Sequence, residues 1–406
     1  MQRRKGAEES GRSARTAATA RIHPSETYAG EKETAGLMGS VSWAEASSKG
    51  ELLEASTSAL SEEQEASAPP MMDPWDLAVE KEKELQKQKH KIGLVLPGGF
   101  RIEGKIGFGT YGSIYSAVSE LDSRKAAVKF EVAHDSQNNL AGSHLFAEHH
   151  VYKALEGGEG IPRVLLCGQA FGYNVLVMDL LGPNLEQLHQ FCDYRFSLPT
   201  VLRLARLMLH RLKWMHEAGF LHRDIKAANF LIGAEERESV FLLDFGLAKA
   251  YRQALPDGDA WEHMAYREGR SMVGTARYAS INSHRGCELG RRDDLEALGY
   301  ILAGFCLGSL PWQDLKAKSK AARLKRMLAL KLDLARPERL AQLLPPAVAD
   351  LLRYVHRLHF AEAPDYTYLL SLFPLQQPLP PFDWQLLLQD PRRAHTWNIM
   401  FKWAPV

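Results

Sequence analysis

Cysteine is scarce: four in 406 residues (Cys167, Cys192, Cys287 and Cys306), far apart, with no C-x-x-C and no histidine pair at metal-ligand spacing. A disulfide framework and a zinc site are therefore excluded, and free thiols in a reducing compartment are expected. An excess of one charge is also missing, since 50 Lys and Arg stand against 49 Asp and Glu for a net charge of +1. That balance argues against a globally basic nucleic-acid binder and against an acidic solvating tail, so any anionic partner must meet a local patch. No run of 18 apolar residues occurs, so no membrane span is expected. Arg3, Arg4 and Lys5 are followed by no apolar stretch, and Glu8 and Glu9 interrupt the basic run. Neither a secretory signal nor a transit peptide is expected. The reading is a soluble intracellular chain, cytoplasmic, with nuclear entry as a further expectation from a basic run at 316–326.

What is present divides unevenly. Residues 1–70 are rich in Ala, Ser, Glu and Gly, with Tyr28 and Trp43 as their only aromatics. Such a segment buries too little apolar area to offset its ordering entropy, and disorder is expected. Trp75 to Lys91 is charged and reads as a solvated linker or a short fraying helix, so 1–90 forms an extension ahead of the folded part. A domain is expected over 95–388, followed by a short tail over 389–406. Residues 100–132 alternate with β period through FRIEGKIG, GSIYSAVS and KAAVKFEV. A helix with Ser143 as N-cap and Gly157 as its stop follows, and YNVLVMDLL closes a small β-rich lobe near residue 180. After Gly182-Pro183, from about 184, helices dominate; Val201, Ala205, Met208, Leu212 and Met215 form one buried stripe that Gly219 stops. The fold class is α+β, a β lobe hinged to an α lobe, and ligands often sit at such junctions.

Gly107-Phe108-Gly109-Thr110-Tyr111-Gly112 is a G-x-G-x-x-G, a weak signal because dinucleotide folds share the spacing. There a helix follows the last glycine. Here Ser113-Ile114-Tyr115-Ser116-Ala117-Val118 alternates, so the glycines form a hairpin turn that can lower backbone amides onto phosphates. Lys129, inside the apolar strand Ala126-Ala127-Val128-Lys129, must face an anion or snorkel to solvent. Glu148, 19 residues on, is the candidate partner. The strong signal is His222-Arg223-Asp224-Ile225-Lys226-Ala227-Ala228-Asn229, followed by Asp244-Phe245-Gly246. In that set Asp224 accepts a hydroxyl proton and Lys226 neutralises a transferring phosphoryl group, while Asn229 and Asp244 hold Mg²⁺ between phosphates. Each triplet occurs by chance; all of them in this order do not.

Over roughly 95–388 the chain resembles the eukaryotic protein kinases, and specifically the casein kinase I family, with the short alpha-type members nearest. The resemblance is carried by Tyr173–Pro183 at the hinge, and by Gly274-Thr275-Ala276-Arg277-Tyr278-Ala279-Ser280-Ile281-Asn282, where most kinases carry Ala-Pro-Glu. Arg291–Tyr300, Leu310-Pro311-Trp312-Gln313 and Pro364-Asp365-Tyr366 continue it. It implies a bilobal kinase fold and a serine/threonine protein kinase using ATP and Mg²⁺. Nucleotide contacts are implied at Ile106 to Ile114, Ala127, Lys129, Met178, Asp179 and Leu181, with adenine on the backbone of Asp179 and Leu181 and Met178 as gatekeeper. Within that first stretch the implied residues are Ile106, Gly107, Phe108, Gly109, Thr110, Tyr111, Gly112, Ser113 and Ile114. Lys129 would hold the α- and β-phosphates and pair with Glu148, and Asp294 would brace the catalytic loop.

The resemblance also implies protein substrates with acidic or phosphorylated residues upstream of the target Ser or Thr, a monomeric state, and no nucleic acid. Arg223, Arg270 and Arg277 are expected in one anion pocket, with Lys320 and Arg323 at further anion-site positions. The rest of the basic run Lys316–Arg326 reads as a solvated helix face. The chain departs from the family at Ala227-Ala228, where Pro-Asp is usual, and at Asp314, where glycine is common and a carboxylate would repel a phosphate. The interval between Lys129 and Glu148 is longer than usual, around Gln137–Ala141. A catalytically impaired scaffold that keeps the fold is the alternative, as is, more remotely, a nucleotide-binding protein of another fold.

Overall fold

The computed structural model describes residues 91–109, 112–133, 143–254 and 261–404, all within a unit spanning 72–406. The extension over 1–90, the turn residues Thr110 and Tyr111 and the loop around Gln137–Ala141 lie outside the described residues.

The alternating segments form strands β1 (Val95–Leu96), β2 (Phe100–Gly109), β3 (Gly112–Ser119) and β4 (Lys125–Val132). Helix α1 (His144–Ala154) follows, then β5 (Val164–Ala170) and β6 (Tyr173–Asp179). The six strands make one antiparallel sheet in the order β1-β2-β3-β4-β6-β5. Period-two alternation sorts its faces. Ala126, Val128 and Phe130 of β4 and Val175 and Val177 of β6 join Tyr115 and Ala117 in one core. Leu176 and Met178, one residue out of phase, join the other core, which runs through the helices. Strand β5 is absent from the sequence reading for a physical reason. VLLCGQA has no alternation and a glycine within it, and as an edge strand it buries none of its residues fully.

The glycine-rich segment is a hairpin, with Gly109 opposite Gly112 and Phe108 opposite Ser113. Gly112 is required by crowding: a Cβ there would lie 1.8 Å from the Phe130 carbonyl oxygen. Gly112→Ala is therefore expected to push β3 off β4 and cost ~1–3 kcal/mol, read as a lower midpoint in thermal or urea unfolding.

Helix α2 (Leu185–Phe191) carries a capping box between Asn184 and Gln187. Helix α3 (Leu198–Glu217) buries Val201, Ala205, Met208, Leu212 and Met215 completely, and Gly219 at φ +91° ends the segment. Ser143 caps α1 by accepting from the Phe146 N–H. Further on come α4 (Ile281–His284), α5 (Arg291–Leu307), α6 (Lys320–Leu334), α7 (Pro337–Leu343), α8 (Pro346–Val355), α9 (Tyr366–Ser371) and α10 (Asp383–Leu387). Helix α5 is buried nearly all round from Asp293 to Phe305, with the acids Asp293, Asp294 and Glu296 enclosed in its first turns and an apolar remainder. Among the described residues no helix is long and apolar enough to cross a membrane.

Residues 389–404, expected as a tail beyond the domain, are part of its packing. They form α11 (Pro391–Met400), whose Trp397 and C-cap residue Phe401 are completely buried in the helical core. The two rings are four residues apart, so they share one helix face. They close on Phe191 of α2 at 5.4 and 6.5 Å.

Candidate active site

Between the sheet and the helices lies a cleft of about 560 Å³. Its sheet side is made by Ile106, Gly107, Ile114 and Ala127, and its connecting segment by Met178, Asp179, Leu180 and Leu181. Gly112 and Ser113 begin the strand beside it, and Phe108 and Gly109 end the strand before. Because Ala126, Val128 and Phe130 fill the sheet core, the pleat turns Ala127 and Lys129 to the cleft.

Lys129 does not snorkel. Its side chain is 6% exposed, and Nζ stands 2.6 Å from Glu148 Oε2 and 2.9 Å from Asp244 Oδ1. Burial alone would lower its pKa, but the Glu148 and Asp244 carboxylates outweigh burial and raise it; the ammonium stays charged. Glu148 is completely buried, and burial pushes its carboxyl up to about 7 against the pull of Lys129. One turn along α1, Tyr152 accepts from the Asp244 N–H at 3.3 Å.

The catalytic-loop residues are held from beneath. Asp294 Oδ2 accepts from the His222 N–H at 2.8 Å and pairs with His216 Nε2 at 3.0 Å, while Oδ1 accepts from the Arg223 N–H at 2.9 Å. His216 Nδ1 meets the Tyr366 hydroxyl. Burial would raise the Asp294 carboxyl, but the His216 hydrogen bond, the charges of His216 and His222 and the His222 N–H hold it below its usual range. Arg223 and Asp244 both adopt left-handed backbone, at φ +64° and +66°. Non-glycine residues reach that region at a cost of ~1–3 kcal/mol each and cluster at functional sites.

Asp224 is 6% exposed. Its Oδ2 accepts from Lys226 Nζ at 2.6 Å and its Oδ1 from the Thr275 N–H at 2.7 Å. Asn229 donates Nδ2 to the Asp224 carbonyl at 3.0 Å, which leaves its amide oxygen for a cation. Lys226, Asn229 and Asp244 all line the cleft. Residues over a hundred positions apart thus meet at one cavity with cations and hard oxygen donors together.

The expected anion residues divide. Arg277, Lys320 and Arg323 line a groove of about 390 Å³ that reaches Lys226 and Thr275. Arg223 and Arg270 do not line it. Arg223 donates Nε to the Leu247 carbonyl at 2.7 Å. Arg270 is drawn to buried Glu288, shared with Lys249 at 2.8 Å, because the Arg270 N–H docks on the Gly286 carbonyl. A single pocket of the three arginines is therefore corrected to one groove plus a separate Lys249–Glu288–Arg270 cluster. Gln313 lines the groove, and Asp314, exposed beside it, does not.

A family model described as protein kinase domain matches residues 100–362. The chain belongs to the protein kinase family. As a protein kinase it is a phosphotransferase, and the family uses ATP with a divalent metal. The residues fit that pair. Among the described residues no three His, Cys, Asp or Glu side chains form a metal-holding group, so those residues provide no self-sufficient cage. Mg²⁺ needs none, since it takes one or two carboxylates and completes its shell with waters and substrate phosphates; Asp244 and Asn229 suit it.

Two lysines that support the surroundings of the kinase's site carry no signal in the sequence. Lys249 was hidden because a lysine in a two-residue strand carries no periodic signal. Lys331 was lost within a basic helix, yet it is completely buried and donates to the Ala276 and Ala279 carbonyls on either side of Arg277. Burial pushes that ammonium down to about 7. Ring faces of Tyr300 and Trp312, 4.8 and 5.2 Å away, act to keep it charged.

Proposed function

We propose that this kinase is a serine/threonine kinase of the casein kinase I type, transferring the γ-phosphoryl of ATP to protein substrates with acidic or phosphorylated residues upstream of the target. The observation that carries the reading is the meeting of Lys129, Glu148, Lys226, Asn229 and Asp244 in one cleft, with Asp224 joined to it through Lys226. Lys129 is the cation for the α- and β-phosphates, with Glu148 fixing its position. Asp224 orients the attacking hydroxyl and receives its proton, while Lys226, 2.6 Å away, offsets the charge that gathers on the moving phosphoryl group. Asn229 and Asp244 hold Mg²⁺, which neutralises phosphate charge when bound. Positioning and charge neutralisation then supply the catalysis, with little covalent work by the protein.

The family type is supported by Ser280-Ile281-Asn282. Ser280 Oγ and Asn282 Nδ2 both donate to Asp293 Oδ1, at 2.7 and 2.9 Å, and the Ile281 N–H donates to Glu296 Oε1 at 2.8 Å. The substitution of this tripeptide for Ala-Pro-Glu is therefore matched by two buried acids on α5. The acidic preference is supported by Arg277, Lys320 and Arg323 in a groove continuous with Lys226. Arg277 is partly engaged by Glu186 at 2.8 Å, which leaves Lys320 and Arg323 as the more available cations.

The test is transfer from radiolabelled ATP to casein and to paired peptides with and without an upstream phosphoserine. The primed peptide is expected to have the higher kcat/KM. Lys320→Glu combined with Arg323→Glu is expected to reduce that advantage about tenfold, in line with the loss of charge-assisted contacts, while the unprimed peptide changes little. Nucleotide binding without any transfer would favour the impaired scaffold. Preference for basic peptides would remove the acidic-substrate reading.

A further inference from the structure

The cleft has a wall that no kinase motif supplies. Trp403, beyond α11, lines it together with Leu181, Gly182, Asn184 and Gln187. The indole is half-buried, with one part packed on the helical core and another facing the cavity. Its position is fixed by its neighbours. Trp397 donates Nε1 to the Ala404 carbonyl at 2.7 Å, and the Ala404 N–H donates to the Phe401 carbonyl at 2.9 Å, so residues 401–404 form a closed turn. Phe401 meets the Trp403 ring at 5.9 Å, edge to face.

The anchoring of α11 does not depend on Trp403, because Trp397 and Phe401, both completely buried, hold the helix to α2. At the α2 end of the cleft, the side-chain oxygens of Asn184 and Gln187 are engaged in capping each other's backbone N–H, at 2.8 and 3.0 Å. The large flat surface at that end is the indole. Lys129 pairs with Leu176, three residues back along β6 from Asp179, where the chain turns towards α2, so a nucleotide with its phosphates on Lys129 and Asp244 brings its base and ribose towards the α2 end.

We infer that Trp403 is a nucleotide-affinity residue: the C-terminal helix supplies in cis an aromatic wall against the base and ribose of the bound nucleotide. This rests on the kinase reading above. Apolar and aromatic lining is what holds most of a small ligand's surface, and base–aromatic contact is worth a several-fold change in affinity even where no hydrogen bond is made.

The experiment is calorimetric titration of the full chain with Mg·ADP, alongside ATP-dependent kinetics, for the wild type, Trp403→Ala and Trp403→Phe. Trp403→Ala is expected to weaken ADP binding about fivefold or more and to raise KM for ATP by a similar factor, with kcat falling less than twofold. Trp403→Phe is expected to recover most of the loss; Trp403→Ala is expected to unfold at a somewhat lower midpoint, because its ring packs on Phe401, while remaining fully folded at the titration temperature. ADP affinity in Trp403→Ala within about twofold of the wild type, or tighter, overturns this inference alone. Failure of the wild type to bind Mg·ADP overturns it together with the kinase reading.

Discussion

Asp224→Asn is expected to lower kcat for phosphoryl transfer by about 10²- to 10⁴-fold, the usual contribution of a positioned general base, with the fold retained. The exchange is nearly isosteric. An amide oxygen can still accept from the Thr275 N–H, now 2.7 Å from Oδ1, so the loop keeps that tether. What disappears is the carboxylate that orients and deprotonates the hydroxyl. The Lys226 ammonium, 2.6 Å from Oδ2, also loses its counter-charge. KM for ATP should change little, because the nucleotide is assigned to Lys129, Asp244 and the hairpin. Equal incorporation of radiolabel by wild type and variant would show that the measured activity belongs to a contaminant.

Asp294→Ala is expected to have the largest effect on stability, about 3–5 kcal/mol. The substitution leaves the His222 and Arg223 N–H groups and His216 Nε2 without their acceptor, all in a region closed to water. Buried donors that lose a partner cost far more than an average hydrogen bond contributes. Activity should fall as well, since Arg223 keeps its left-handed backbone only while surrounding contacts hold it there. The pH dependence has a definite sign. A carboxyl held below its usual range in the folded state stabilises at pH above its unfolded value and loses that contribution as pH falls through the folded one. Urea unfolding midpoints of wild type and Asp294→Ala should therefore differ most near neutrality and converge in strong acid. A gap that widened on acidification would contradict the account.

Much of this was legible because it depends on short-range pattern. β-period alternation placed β2, β3 and β4, and the 4-3-4-3 stripe from Val201 to Met215 placed α3. Ser143 marked the start of α1, which ends at Ala154, three residues before Gly157. The pairing of Lys129 with Glu148 also followed from one argument, that an ammonium inside an apolar strand needs an anion. What escaped depends on contacts distant in sequence. Strand β5 is defined by its neighbour β6, not by its own alternation. The division of the arginines follows from Glu288, which captures Arg270 and could not be ranked against other carboxylates from the sequence. Residues 389–404 read as a tail because they lie beyond the last motif of the resemblance, although they carry Trp397, Phe401 and Trp403; only Phe191, about two hundred positions earlier, gives Trp397 and Phe401 a core to enter. The same long reach brings Trp403 to the cleft.

The central claim is that Lys129, Asn229 and Asp244 grip one magnesium–nucleotide and aim its terminal phosphorus at a hydroxyl held by Asp224. A crystal structure of the full chain with Mg²⁺ and a non-hydrolysable ATP analogue tests it most directly. The expected result is α- and β-phosphate oxygens on Lys129 Nζ, metal on the Asp244 carboxylate and the Asn229 amide oxygen, and the γ-phosphate nearest Asp224 and Lys226. Nucleotide bound elsewhere, or in this cleft with its phosphates directed away from Asp224, would contradict it.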